Sequence, residues 1–220
     1  MIQSHTLDFL KELVENNNRE WFQLNKERYD KARENIIELT ANIITKLHKV
    51  DPGVNADLDP KKCVMRIYRD IRFSKNKIPY KNNFGVSLPA SGTKLGGVEY
   101  YLHIQPGKSF IAGGYWMPDA DHLKAIRQEI DYNANDLKKI IDAPHFIKLF
   151  GEFRKQDQLK TIPRDYSAEN QNIDLLKLKS FIVSHPLKDK ELMSSKAADE
   201  IVEVCSNLYP LNVFLKNALA

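Results

Sequence analysis

The stretch VEYYLHIQPGKSFIAGGYW, Val98 to Trp116, alternates apolar and polar residues on either side of Pro106-Gly107. Period-two alternation around a Pro-Gly turn predicts a β-hairpin, with strands over Val98–Gln105 and Ser109–Trp116. Working outward, Phe84 to Pro89 reads as a short strand, and Ser91 to Gly97 (SGTKLGG) as a glycine-rich turn. Leu176 to Val183 (LKLKSFIV) reads as a further strand. Helical spacing dominates on both flanks. Leu7, Leu10, Leu13 and Val14 predict a helix over Thr6–Glu15, and Asn17 with Glu20 resembles a capping box that opens a second helix. Its stripe of Tyr29, Ala32, Ile36, Leu39, Ile43, Leu47 and Val50 runs until Asp51-Pro52-Gly53 stops it. After Met117-Pro118, Asp119 or Asp121 caps a helix that buries Leu123, Ile126 and Ile130. Asn133–Ile141 and His145–Phe150 are short helices, 154–173 is polar and irregular, and 189–220 is helical with a break at Tyr209-Pro210. Consecutive strands flanked by helices imply an α+β fold. A central, mostly antiparallel sheet is packed by N-terminal, middle and C-terminal helices in one domain over 1–220.

The chain has 220 residues, 42% hydrophobic and 28% charged, as soluble globular proteins do. Its longest apolar runs fall short of a membrane span, and its start lacks a secretory apolar stretch. A cytoplasmic protein without a membrane partner is expected. Cys63 and Cys205 are far apart and read as reduced, buried thiols. A reactive Cys63 is the alternative, because Lys61 and Lys62 could lower its pKa.

Charge is concentrated in one place. From Lys61 to Lys81 there are eight basic residues and one acid, against a net +4 for the whole chain, so the remainder is net negative. A concentrated field of one sign draws anions. Within MRIYRDIRFSKNKIPYKNNF, Met65 to Phe84, two periods compete. Val64, Ile67, Tyr68 and Ile71 fit a helix, while Cys63, Met65, Ile67, Ile71 and Phe73 fit one face of a strand. The β-branched and aromatic content favours a strand over Cys63–Phe73. Arg66, Tyr68, Asp70 and Arg72 then share a face, with Asp70 placed to orient both arginines. Arg69 falls on the apolar face, where a buried guanidinium needs a carboxylate such as that of Glu20, or a phosphate. The loop that follows interleaves Lys75, Lys77 and Lys81 with Asn76, Pro79 and Tyr80, a pattern suited to phosphate contact and stacking. Tyr100, Tyr101, His103, Tyr115 and Trp116 add aromatics on the hairpin, as core or as ligand platform.

No P-loop, G-x-S-x-G elbow, H-E-x-x-H or paired cysteine set occurs, and Asp119, Asp121 and His122 read as a helix cap. No cofactor and no metal are called for. The string R-x-x-R-D-x-R-F-x-x-N-K-x-P-Y-K, Arg66 to Lys81, resembles the defining motif of a bacterial family catalogued as domain of unknown function 2461. Asn17–Lys26 (NNREWFxxNK), Tyr100–Gly107 (YYLHIxPG), Gly113–Pro118 (GGYWxP) and Leu175–Phe181 (LLKLKSF) extend the resemblance over nearly the whole chain. It implies one intact domain and no particular chemistry. It marks Arg66, Arg69, Asp70, Arg72, Phe73, Asn76, Lys77, Tyr80 and Lys81 as candidate functional residues. The chain departs from the family pattern P-K-G-Y at Pro163-Arg164-Asp165-Tyr166, where a glycine turn is therefore not expected.

Three functions follow from these residues. The first is binding of a phosphate-bearing or other anionic ligand, either a small molecule or nucleic acid. Arg66, Arg72, Lys77 and Lys81 contact the anion, Asp70 orients the arginines and Tyr80 stacks or hydrogen-bonds. The second is an enzyme acting on a phosphoryl or acyl substrate, with Asp70 or His103 as the acid–base group. The third is a structural Arg/Asp network locking the long helix to the sheet.

Overall fold

The computed structural model describes residues 1–91, 97–153 and 158–220. Helices α1 (Ser4–Glu15), α2 (Arg19–Leu24), α3 (Lys26–Leu47) and α4 (Pro60–Cys63) precede three strands, β1 (Phe84–Pro89), β2 (Val98–Ile104) and β3 (Ser109–Tyr115). Helices α5 (Ala120–Ile141), α6 (Pro144–Phe150) and α7 (Ile173–Leu176) come next. Then β4 (Phe181–Leu187), α8 (Asp189–Leu192) and α9 (Ala197–Asn217) complete the chain. The strands form one antiparallel sheet in the order β1-β2-β3-β4, so the α+β architecture is as the sequence predicts. The turn Ser91–Gly97 expected between β1 and β2 lies mostly outside the described residues.

Alternation decides the two faces of the sheet. Along β2, Val98, Tyr100, Leu102 and Ile104 are buried while Glu99, Tyr101 and His103 are half-buried. The buried set meets the apolar stripe of α9, and α3 packs beside it on α9 and β1. That core is one contiguous cluster running from Ile2 to Leu215. The other face carries Glu99, Tyr101 and His103.

Four local expectations need correction. The second helix does not run unbroken from Asn17. Asn18, one residue later, caps α2 by accepting from the Trp21 amide, and Asn25 divides α2 from α3. Nor is Cys63–Phe73 a strand. Asp59 and Pro60 cap a single helical turn that ends at Cys63. Val64 then makes one bridge to Val86, and the chain leaves the sheet. The predicted strand at Leu176–Val183 starts later, at Phe181, because Leu176 and Leu178 are buried from the turn of α7. Pro186 lies in β4, where an edge strand tolerates a missing amide. Finally, Pro210 does not break the last helix but sits inside α9. A proline inside a helix costs about 3 kcal/mol. Burying Leu208, Leu211, Phe214 and Leu215 at about 1.5–3 kcal/mol each outweighs it.

A carboxylate is sunk into this core. Asp51, 1% exposed, accepts from the Tyr100 hydroxyl at 2.9 Å and from the Gly53 amide at 2.9 Å. Lys216 Nζ lies 3.1 and 3.3 Å from its two oxygens and also reaches the Ala90 carbonyl at 3.2 Å. Burial and the Asp51 charge both push the Tyr100 hydroxyl's pKa upward, so it stays a donor. Gly53 is required by closeness: a Cβ there would sit 2.3 Å from the Ala90 oxygen and 2.9 Å from Lys216 Nζ.

The segment Pro163 to Tyr166, where no glycine turn is expected, still closes tightly. The Tyr166 amide donates to the Pro163 carbonyl at 3.3 Å, closing a tight turn with Asp165 at φ +73°. A tight turn with a left-handed third residue is therefore present, and an aspartate carries it.

Two stability outcomes follow. Asp51→Ala leaves Tyr100 without its acceptor and the Lys216 charge without its counter-ion, and costs about 3 kcal/mol or more by urea denaturation. Asp165→Gly relieves the left-handed aspartate and gains roughly 0.5 kcal/mol in the same measurement.

Candidate functional site

The basic segment folds back on itself. The Arg69 amide donates to the Pro79 carbonyl at 2.9 Å, and the Lys81 amide donates to the Ile67 carbonyl at 2.8 Å. These bonds flank a single bridge between Tyr68 and Tyr80. The loop 67–81 is anchored from outside by Asn17. Its side chain accepts from the Tyr80 amide and donates to the Tyr80 carbonyl, both at 3.1 Å, as a neighbouring strand would. That commitment explains why Asn18, rather than Asn17, caps α2.

Inside the loop much of the charge is satisfied locally. Asp70 holds Arg72 in a two-pronged pair at 3.0 and 2.7 Å and also accepts from the Arg72 amide at 3.2 Å. These bonds, with a smaller effect from Arg66, hold the Asp70 carboxyl below its ordinary range. An exposed carboxylate held ionised in this way is a poor general acid. Lys77 Nζ donates to the Ile71 carbonyl at 2.9 Å, and the Asn76 side chain accepts from the Ile78 amide at 3.0 Å. Phe73 is 95% exposed. Asp70 orients Arg72 but makes no hydrogen bond to Arg66.

Two expectations about individual residues change. Arg69 meets no carboxylate among the described residues. It is half-buried and donates to the Ile78 carbonyl at 3.0 Å. With Glu20 exposed, no Arg/Asp network among the described residues ties the long helix to the sheet. Tyr80 is 3% exposed and stacked on Phe22, with centroids 4.0 Å apart, so its ring supports the loop from within and offers no face for stacking.

Arg66 and Lys81 remain. Neither side chain makes a hydrogen bond or ion pair to any described residue. Lys81 is half-buried, and burial first, then the Arg66 charge, push its pKa down. Lys81 shares with Arg69, Asn76, Asn82 and Asn83 the wall of an open pocket of about 310 Å³. Amide donors and one uncompensated ammonium line it, which is chemistry suited to an oxyanion.

A polar chain leads from this pocket onto the open sheet face. Asn83 Nδ2 lies 3.3 Å and the Tyr101 hydroxyl 3.1 Å from His103 Nδ1, while His103 Nε2 lies 3.0 Å from Gln105 Oε1. Both His103 nitrogens are thus engaged with neighbours. Beyond Tyr101 stands Glu99, which accepts a hydrogen bond from the Ser87 hydroxyl. Burial raises the Glu99 carboxyl's pKa, and the Ser87 bond opposes it. The sequence reading assigned no role to Glu99, Ser87 or Asn83. The signal available was the alternation that puts Glu99, Tyr101 and His103 on the same side of β2.

The hairpin aromatics divide by face. Tyr100 and Tyr115 are core, whereas Tyr101 and Trp116 border the open side. Cys63 is buried and its thiol is pushed up to about 11, by burial first and then by the Asp59 charge. The lysines beside it do not make it reactive, and burial also pushes the Cys205 thiol up.

The fold and site define an α+β protein with a four-stranded antiparallel meander, helices packed on one face and a basic loop at its β1 edge. A family model described as conserved hypothetical protein (DUF2461) matches residues 5–214, and the chain belongs to that family. No curated protein and no solved structure matches it. No helix of the described residues is long and apolar enough to cross a membrane.

The Asn17 clamp yields a direct test. Asn17→Ala removes both bonds to the Tyr80 backbone, and we expect a loss of about 1–3 kcal/mol. Hydrogen exchange at the Arg69 and Lys81 amides should accelerate by more than exchange in β2.

Proposed function

We propose that this protein binds a phosphate-bearing or other anionic small molecule at the basic loop. Arg66 and Lys81 supply the charge, and Arg69 and Asn76 supply further donors. Arg72, paired with Asp70, and Lys77 shape the loop and extend its field, and Tyr80 holds it to the core. The observation that carries this reading is Lys81. A half-buried ammonium beside a second cation, with no acceptor among the described residues, raises the free energy of the unliganded protein. An anion between Arg66 and Lys81 would relieve that cost. The amide-lined pocket beside them has room for a phosphate or pyrophosphate group.

Titration with pyrophosphate at low salt tests the proposal. At a hundredfold excess over Kd, binding stabilises the fold by about 2.7 kcal/mol. For a chain of this length that is a rise in melting temperature of roughly 5–10 °C. Lys81→Met should abolish the rise while leaving the unliganded protein as stable or more so, because the substitution removes a charge whose burial is unfavourable. The pH dependence has a definite sign. Lys81 binds the anion in its protonated form, so its contribution to affinity falls as pH rises through its lowered pKa. A single-stranded oligonucleotide as ligand would instead lose log affinity in proportion to log salt, at about 0.7 per phosphate neutralised. No response to phosphate, pyrophosphate or oligonucleotide, or an equal response in Lys81→Met, would overturn the proposal.

A further inference from the structure

The open face of the sheet is a trough whose shape follows from the strand register. Glu99 on β2 lies opposite Gly114 on β3, and Tyr101 lies opposite Ala112. On the other side Gly114 faces Ile182 of β4. Small residues on the central strand, between larger ones on its neighbours, leave a furrow along β3. Phe110 borders one part of it, Trp116 another, and Met65 reaches over from the segment beside β1. The enclosed volume is about 320 Å³, at the small end for a ligand pocket and suited to one or two rings. Gly114 keeps the floor low and cannot be replaced. It sits at φ +120°, and a Cβ there would lie 1.9 Å from the Phe181 carbonyl oxygen.

The lining is apolar and aromatic except for one acid. Glu99 Oε2 accepts from Ser87, which fixes the carboxyl group, while Glu99 Oε1 has no hydrogen-bond partner among the described residues. Oε1 is not sealed from solvent, and Glu99 lines the trough. A half-buried carboxylate oxygen held in place by its twin and facing an aromatic-walled furrow calls for a donor on the ligand. The aromatic walls call for a flat, apolar body.

We propose that this trough is a binding pocket for a planar ring bearing an N–H donor, preferably cationic as in an amidine. The ring lies on the Ala112–Gly114 floor between Tyr101 and Trp116, and its N–H donates to Glu99 Oε1. This site stands on residues other than the basic loop and does not depend on the anion proposal.

The chain has two tryptophans, Trp21 and Trp116. Trp21→Phe therefore leaves Trp116 as a single reporter at the trough. Benzamidine should change its fluorescence saturably. Acetophenone, of similar shape without an N–H, should bind roughly tenfold more weakly or worse, the size of one hydrogen bond to a charged group. Adding Glu99→Gln should weaken benzamidine by a similar factor and leave acetophenone unchanged. Ala112→Leu, which fills the floor without touching the carboxylate, should block both probes and serves if Glu99→Gln folds poorly. The inference is overturned by the absence of a saturable signal, by equal affinity for the two probes, or by benzamidine binding that survives both substitutions.

Discussion

The arrangement of this protein depends on where one buried carboxylate finds its partners. Asp51 ends the stretch after α3, Tyr100 lies within β2, and Lys216, near the end of α9, also reaches the Ala90 carbonyl just after β1. A buried charge is tolerated only when its hydrogen-bonding capacity is met, and Asp51 is met by Gly53 beside it and by Tyr100 and Lys216 from two distant parts of the chain. That requirement fixes α3 and α9 against the same face of the sheet. It also sets Tyr100 inward. Because side chains alternate along β2, the residues on either side of Tyr100, Glu99 and Tyr101, must face the other way. The polar side of the sheet is therefore set by an interaction on its opposite side.

The meander was legible because local and tertiary preferences agree there. Alternation, β-branched residues and Pro106-Gly107 all specify the hairpin, and β2 and β3 start and stop within a residue of the expected bounds. Legibility failed where a side chain serves a distant partner. From sequence Asn17, with Glu20 three residues on, is the expected cap, and only its use on the backbone of Tyr80, 63 residues away, hands the role to Asn18. Pro210 would break an isolated helix, and the core around Leu208 and Leu211 overrides it. Between Cys63 and Phe73 two periods fit equally poorly, and the chain follows neither beyond Tyr68. Its polar backbone groups are instead satisfied by its own return through Pro79 and Lys81.

The same distinction applies to the basic cluster. Its existence was plain from composition, but not its division into satisfied and unsatisfied charge. Asp70 is close enough in sequence to serve Arg66 or Arg72. The two-residue spacing lets it take Arg72 through side chain and backbone at once. Lys77 finds a carbonyl within the loop. Exposed pairs of this kind contribute about 0–1 kcal/mol each, so they shape the loop more than they stabilise the fold. Arg66 and Lys81 are left over because each sits where the loop meets the sheet, and the acid within the loop is already taken.

The basic loop and the trough also share their supports, which bears on how the open face works. Met65 borders the trough, and the next residue is Arg66. Met65 is held to β1 by its amide, which donates to the Gly85 carbonyl at 2.9 Å. Asn83 borders the basic pocket and touches His103, which touches Tyr101 of the trough wall. A shift at one end of this chain must be absorbed at the other or broken within it, since each contact is a hydrogen bond between half-buried groups. The rigid member is the sheet, anchored from behind through Tyr100 and Asp51. The adjustable member is the crossing at 64–66, a single bridge wide and without a helix or strand of its own. Any ligand-induced change on this face is thus expected to fall on Met65 and Arg66 rather than on Glu99 or Tyr101, whose strand the buried carboxylate holds in place.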